Sequence, residues 1–278
     1  MNQKISFYTA PYPEINSYKQ IIDLAAEKGL SAIEGFCNFE FSEPNAALAK
    51  DIRAYAEDKG IKFSCFSLFC DISGADAKEN VARLCQYADI AAIVGSPFLH
   101  HTIANNFWDP QGMLANQEAY FKQGIQSVRE VYDYAASVGL RAIYEDQGFI
   151  FNGVRGFQRF LDAVDRNVGA VADFGNIAQV EEGVEDFIRA FPNHIVHAHI
   201  KDLVPVAKEE IGPGCLETIN GNWVREVEIG TGCVKIQESI DLLKASGYDG
   251  YYSIEYQGTC DRDPSVDRVL ERLNHWLG

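Results

Sequence analysis

Four strand-like stretches of this chain each end on a side chain that binds protons or metals. Ala142-Ile143-Tyr144 runs into Glu145, Ala170-Val171-Ala172 into Asp173, Val196-His197-Ala198 into His199, and Ser253-Ile254 into Glu255. Two glutamates, one aspartate and one imidazole make a mixed oxygen and nitrogen ligand set. Such a set suits Mn²⁺, Mg²⁺, Co²⁺ or Zn²⁺. One divalent ion is therefore the expected cofactor, with Mn²⁺ preferred. An acid at a single strand end is commonly a helix cap or a surface residue, but four in successive units point to a shared centre.

The stretch His194–Asp202 shows how such a residue is positioned. In a strand, side chains alternate faces. Ile195, His197, His199 and Lys201 then share one face, and Val196, Ala198 and Ile200 the other. The second face is apolar and calls for a helix over it, whereas the first grows more polar toward its C-terminal end. That is the pattern of a strand in a closed parallel barrel, whose functional groups sit at the C-terminal rim. Further candidates for contact with a substrate are His101, Gln147, Asn176, Lys201, Trp108 and Glu34. His100 and His101 lie on opposite faces, so at most one points inward. Glu34 is placed to orient a neighbour or a hydroxyl group. Trp108, with Phe107 beside it, offers a ring to stack on an apolar sugar face. Lys201 has two readings, a substrate contact or an ion pair with Asp202.

The elements that must carry these residues alternate without a break. Strands are predicted at Lys4–Tyr8, Ser31–Glu34, Ile61–Phe66, Pro97–Thr102, Leu140–Glu145, Val168–Asp173, His194–His199 and Tyr251–Glu255. Helices are predicted at Asn16–Lys28, Pro44–Lys59, Asp76–Ile93, Gln111–Val138, Gly156–Asp165, Val184–Phe191, Ile236–Ser246 and Pro264–Leu277. Gly29, Gly60, Gly139 and Gly247 stand where four of these helices should stop. Strands alternating with helices imply parallel crossovers. Eight units in 278 residues favour an α/β fold of the (β/α)8 TIM barrel type, one domain spanning 1–278. A dinucleotide-binding open sheet should carry G-x-G-x-x-G after its first strand, but the chain has Thr9-Ala10-Pro11-Tyr12-Pro13 there.

One connection, 203–234, is too long to be ordinary. It holds Gly212-Pro213-Gly214, Asn220-Gly221 and Gly230-Thr231-Gly232. A loop of this length in a compact domain is usually functional. The Asn220-Gly221 step predicts a hairpin between Cys215–Ile219 and Trp223–Ile229. Following the seventh strand, the segment would stand over the barrel mouth as a lid.

Composition narrows the partners. The formal charge is −16, spread along the chain, so the surface repels polyanions and nucleic acid is not an expected partner. The seven cysteines are scattered and no C-x-x-C occurs, which reads as a reduced, cytoplasmic protein. The start lacks the build of a signal peptide, and no apolar run is long enough for a membrane span. Homo-oligomerisation stays open.

The order Glu145, Asp173-Phe174-Gly175-Asn176, His199-Ile200-Lys201-Asp202, Gly230-Thr231-Gly232 and Glu255 resembles the sugar phosphate isomerase/epimerase superfamily, the xylose isomerase-like TIM barrels. The likeness runs through the element order of the whole chain. It implies that Glu145, Asp173, His199 and Glu255 are metal ligands and that Glu145 and Glu255 form the acid/base pair. It also implies a small sugar or cyclitol as substrate. The chain departs from the pattern at Gln147, where the family often has histidine. It departs again at Asn176, where the ketose epimerases and endonuclease IV have histidine, and at Pro205, where the ketose epimerases have arginine. The expected function is a divalent-metal-dependent isomerase or epimerase working through a metal-stabilised enediolate. A lyase on the same site, inosose dehydratase-like or eliminating from a keto-glycoside, is the runner-up. A partner-dependent subunit and a nuclease are readings from other classes.

Overall fold

Eight short parallel strands close into a ring because each lends one face to the ring's interior and the other to a covering helix. The computed structural model describes residues 4–9, 15–104, 110–255 and 262–278. Its strands are β1 (Ile5–Tyr8), β2 (Ala32–Phe36), β3 (Lys62–Leu68), β4 (Phe98–His101), β5 (Arg141–Glu145), β6 (Gly169–Asp173), β7 (Ile195–Ile200), β8 (Asp202–Pro205), β9 (Cys215–Glu217), β10 (Trp223–Val227) and β11 (Tyr252–Ile254). The closed barrel runs β1-β11-β7-β6-β5-β4-β3-β2, and β8, β10 and β9 form a separate antiparallel sheet. This is the expected (β/α)8 barrel.

The helices are α1 (Tyr18–Glu27), α2 (Ala46–Asp58), α3 (Ala77–Val94), α4 (Pro110–Ala115), α5 (Gln117–Ser137), α6 (Gly153–Val164), α7 (Val184–Ala190), α8 (Ile236–Ala245) and α9 (Arg262–Leu277). Ser17, Asn45 and Asn152 cap the N-termini of α1, α2 and α6 through their side-chain oxygens, satisfying amides that have no partner within the helix. Gly29, Gly60, Gly139 and Gly247 do take left-handed backbone angles at helix ends. None of the described helices is long and apolar enough to cross a membrane.

The main apolar core lies between the helices and the outer faces of the strands. Inside the ring, Cys65, Ile143 and Val171 form a small apolar cluster. Two residues further along β5 and β6, the same inward face carries Glu145 and Asp173. The barrel axis therefore passes from apolar packing to a polar layer at the C-terminal end.

Two elements differ from the sequence expectation. The helix predicted over Gln111–Val138 is broken at Asn116, whose φ of −115° and ψ of 14° interrupt it. The Asn116 side-chain amide bonds the Gly112 carbonyl, the local competition with backbone hydrogen bonding that makes asparagine a poor helix-interior residue. Strand β2 does not stop at Glu34. It continues through Gly35 and Phe36 against Phe66 and Ser67 of the longer β3, which puts Glu34 inside the barrel instead of on its rim.

The long connection is a small sheet. Its hairpin turns at Gly221, with φ +79°, and the Gly221 amide bonds the Thr218 carbonyl while the Thr218 amide bonds that of Asn222. Asp202 ties its two ends together, since its carboxylate accepts from the amides of Leu203, Gly230, Gly232 and Val234. A Cβ at Gly232 would overlap Asp202 Oδ1 and the Leu203 carbonyl, so only glycine permits this approach. Glu228, paired with Arg268 and with Arg272 at 2.7 Å, fixes the same end to α9. At the hairpin tip, Glu181 accepts from Thr218, Asn220 and Asn222.

Asp202→Ala should strip a charged acceptor from four amides. Hydrogen bonds to charged groups contribute about 1.5–3 kcal/mol each, net, so a loss of at least ~2 kcal/mol and a thermal midpoint several degrees lower are expected. A melting curve within a degree of the parent would show that the anchor is dispensable.

Candidate metal centre

The rim of the barrel gathers the four strand-end residues around one point. One ligand-type atom from each of Glu145, Asp173, His199 and Glu255 lies within 4.8 Å of all the others, and all four residues are buried. His199 Nδ1 is 3.0 Å from Glu255 Oε2, 3.3 Å from Glu145 Oε2 and 3.5 Å from Asp173 Oδ2. Ligand bonds of about 2.0–2.2 Å place ligating atoms roughly 3–4 Å apart, so this spacing fits a single cation. His199 Nδ1 is buried without a hydrogen bond among the described residues, a state that costs free energy unless a ligand completes it. The donor set, three carboxylates and one imidazole, matches an oxygen-preferring divalent ion.

Glu34 orients the imidazole from below. Its Oε1 lies 2.9 Å from His199 Nε2 and its Oε2 2.7 Å from His197 Nε2. Ser67 Oγ donates to Oε1 at 2.5 Å. Burial alone would raise the Glu34 pKa, but His199 and His197 hold it well below the ordinary range. An ionised Glu34 takes the Nε2 proton of His199 as its hydrogen bond, leaving Nδ1, which faces the carboxylates, to a proton or a cation. This is the carboxylate–histidine support seen at many metal sites. Glu34, His197 and His199 are themselves close enough to suggest a second cluster. Their direct hydrogen bonds leave no room for an ion between them, so we read them as the support of the first.

Lys201 supplies a fixed positive charge. Its Nζ is 3.1 Å from Asp173 Oδ2, 3.1 Å from Glu255 Oε1 and 3.2 Å from Asn176 Oδ1. Of the two readings of Lys201, the ion pair with Asp202 is not formed; the Asp202 carboxylate accepts from backbone amides instead. A Cβ at Gly175 would fall 2.6 Å from both Cγ and Cδ of Lys201, so glycine there gives the lysine stem its path. Burial disfavours the ammonium, yet Asp173 and Glu255 keep its pKa well above the usual value. Among the protein groups alone, burial lifts Glu145 to about 7. Asp173, which burial would also raise, is pulled far down by Lys201 and His199.

A cavity of about 190 Å³ opens on this cluster. Gln147, Asn176 and Lys201 line it, as do His100, Tyr8, Phe36 and Phe69. Leu216 and Glu226 of the inserted sheet close it from above, so that sheet does stand over the mouth. His101 does not reach it. It lies on the outer face of β4, where Nε2 meets the Tyr144 hydroxyl at 3.0 Å; the inward histidine is His100. Glu34 is fully buried beneath the cavity, bonded to Ser67 and the two histidines, and is not among the residues that line it. Trp108 and Phe107 lie outside the described residues. A wider groove of about 930 Å³ between α5, α6 and α7 is lined by Phe121, Arg159 and Glu182, among others. It lies on the outer helical ring, away from the converging carboxylates, so the smaller cavity is the candidate site.

Glu34→Gln keeps the shape but turns one acceptor oxygen into a donor facing donors. Loss of such a support typically lowers metal affinity 10–100-fold, and that fall is expected in a titration against a competing chelator. Affinity within about twofold of the parent would remove Glu34 from the positioning of His199.

The chain matches the family model for the xylose isomerase-like TIM barrel over residues 22–276. It is 20% identical to an inosose dehydratase of Clostridium perfringens over 271 residues, covering 92% of this chain and 86% of that protein. Among solved structures it resembles a D-psicose 3-epimerase with D-tagatose from Clostridium cellulolyticum, with a TM-score of 0.79, 17% identity and 99% of each chain covered. It also resembles a xylose isomerase-like TIM barrel protein from Mycobacterium smegmatis in complex with magnesium, with a TM-score of 0.71, 16% identity, and 99% and 98% covered. At these identities the solved structures establish a common architecture and no more. A barrel closed in this order, with a family match across nearly its whole length, leads to one assignment: the chain belongs to the xylose isomerase-like TIM barrel family.

Proposed function

We propose that this protein is a divalent-metal-dependent isomerase or epimerase of a small, unphosphorylated sugar or cyclitol. The observation that carries this reading is the placement of Glu145 and Glu255. They come from β5 and from the residue after β11, and both lie against His199 Nδ1, at 3.3 and 3.0 Å. Both also line the cavity. One carboxylate can take a proton from carbon while the other returns one from a different side. A cation bound beside Glu145 would hold its carboxylate ionised, the form that a general base needs. A divalent cation held by Glu145, Asp173, His199 and Glu255 would supply the Lewis-acid charge that stabilises a developing enediolate.

The cavity favours the substrate class. At about 190 Å³ it is below the ~300–1,000 Å³ of pockets for drug-sized ligands. Gln147, Asn176 and Gln179 offer neutral polar groups for hydroxyls, and Phe36 and Phe69 offer apolar surface. Among the described lining residues Lys201 is the sole cation, already paired, against the acids Glu145, Glu226 and Glu255. No second lysine or arginine among the described lining residues is placed to pair with a phosphate.

A second reading, a dehydratase, is favoured by the near full-length alignment with an inosose dehydratase. The first proton abstraction would be the same. The step then differs in that a β-hydroxyl leaves, taking a proton to form water, instead of carbon regaining one.

A screen of unphosphorylated keto-sugars and inososes with Mn²⁺ in deuterated water reads both outcomes. Epimerase or isomerase action incorporates deuterium at carbon, whereas elimination gives an absorbing enone. Glu145→Gln and Glu255→Gln should each lower turnover by a factor on the order of 10² or more, and exchange should fail in at least one. Near-normal turnover in both variants would refute the proton-transfer reading. Activity appearing only after addition of a second protein would move the chain into a partner-dependent class.

A further inference from the structure

We infer that His100 is locked as a hydrogen-bond acceptor at its Nε2, and that this atom reads a hydroxyl donor on the substrate. The second half rests on the substrate class proposed above; the first half rests on the protein alone.

His100 is only 2% exposed and faces the cavity beside Glu145. Its Nδ1 lies 3.1 Å from Ser67 Oγ. That hydroxyl has one proton, and it is directed to Glu34 Oε1 at 2.5 Å. A carboxylate is an acceptor only, and Glu34 already receives the imidazole protons of His197 and His199. Ser67 must therefore donate to Glu34 and accept from His100. The proton of His100 is then on Nδ1, and in a neutral imidazole the other nitrogen carries a bare lone pair.

That lone pair has no partner among the described residues. His100 Nε2 is buried and makes no hydrogen bond. The nearest acidic oxygen, Glu145 Oε2, is 3.7 Å away, beyond hydrogen-bonding distance. A proton placed on Nε2 would thus find no acceptor within reach. The arrangement spends a buried, oriented acceptor on the cavity wall, which is the form of a subsite that selects a hydroxyl. A substrate hydroxyl donating there completes the chain from substrate to His100, Ser67 and Glu34. A deoxy carbon or an ether oxygen at the same point would leave the lone pair unsatisfied. Sites built to bond a hydroxyl reject analogues lacking it by factors of up to about 10⁴–10⁵.

The tautomer is measurable without substrate. In the full chain labelled with [15N]histidine and loaded with diamagnetic Mg²⁺, long-range proton–nitrogen spectra should show His100 protonated on Nδ1 and bare on Nε2. His100→Gln identifies its signals. Ser67→Ala removes the acceptor and should release the lock, moving His100 toward the Nε2-protonated form. A wild-type His100 protonated on Nε2 would overturn the inference. On whichever inosose or keto-sugar of the screen is turned over, His100→Leu should lower kcat/KM by about 10²-fold, and His100→Gln, which retains an acceptor oxygen, should recover part of it. Equal kcat/KM in wild type, Leu and Gln variants would overturn the substrate contact while leaving Glu145 and Glu255 in their roles. If the wild type turns over none of the panel, the proposed function fails, and the tautomer still decides the lock.

Discussion

A single buried carboxylate organises the centre of this barrel. Glu34 sits below the rim with no exposed surface and accepts from Ser67, His197 and His199. An isolated ionised carboxylate in such a place would be prohibitively costly. The imidazoles and the hydroxyl offset that cost, and in return each is fixed in direction. His199 then presents Nδ1 to three acids, and Ser67 fixes the direction of the His100 ring. The directions of two imidazoles on two strands, β7 and β4, trace back to one negative charge on β2.

The charge balance above Glu34 follows the same logic. Glu145, Asp173 and Glu255 crowd one point and would repel one another if all were ionised without a cation. Lys201 relieves part of this by bridging Asp173 and Glu255. What remains is a strongly negative, buried cluster, which is a cluster suited to a divalent ion. A proton and a cation compete for His199 Nδ1, whose pKa burial would lower but the surrounding acids, Glu34 and Glu255 foremost, push well above the ordinary value.

The inserted sheet repeats the device in the backbone. Asp202 collects four amides, Glu228 pairs with two arginines of α9, and Glu181 collects the hairpin tip. The cover of the cavity is tied at its base and at its tip by carboxylates. Part of the chain's excess of acids is therefore engaged in holding its own loops, and is not simply solvated surface.

The sequence by itself determined the strand and helix alternation, the barrel class, and the four residues that the strand ends carry to the rim. Period-two patterning and glycine stops are local properties, and a closed parallel ring aligns its C-terminal ends whatever the details. The sequence did not tell which of His100 and His101 faces inward, since alternation separates the two but apolar residues flank both faces of β4. Nor did it show that Glu34 meets histidines 163 and 165 residues away, or that Lys201 pairs with Asp173 and Glu255 in place of its neighbour Asp202. Those outcomes depend on strand register around the ring and on which backbone amides come to need an acceptor. Only the closed tertiary structure fixes either.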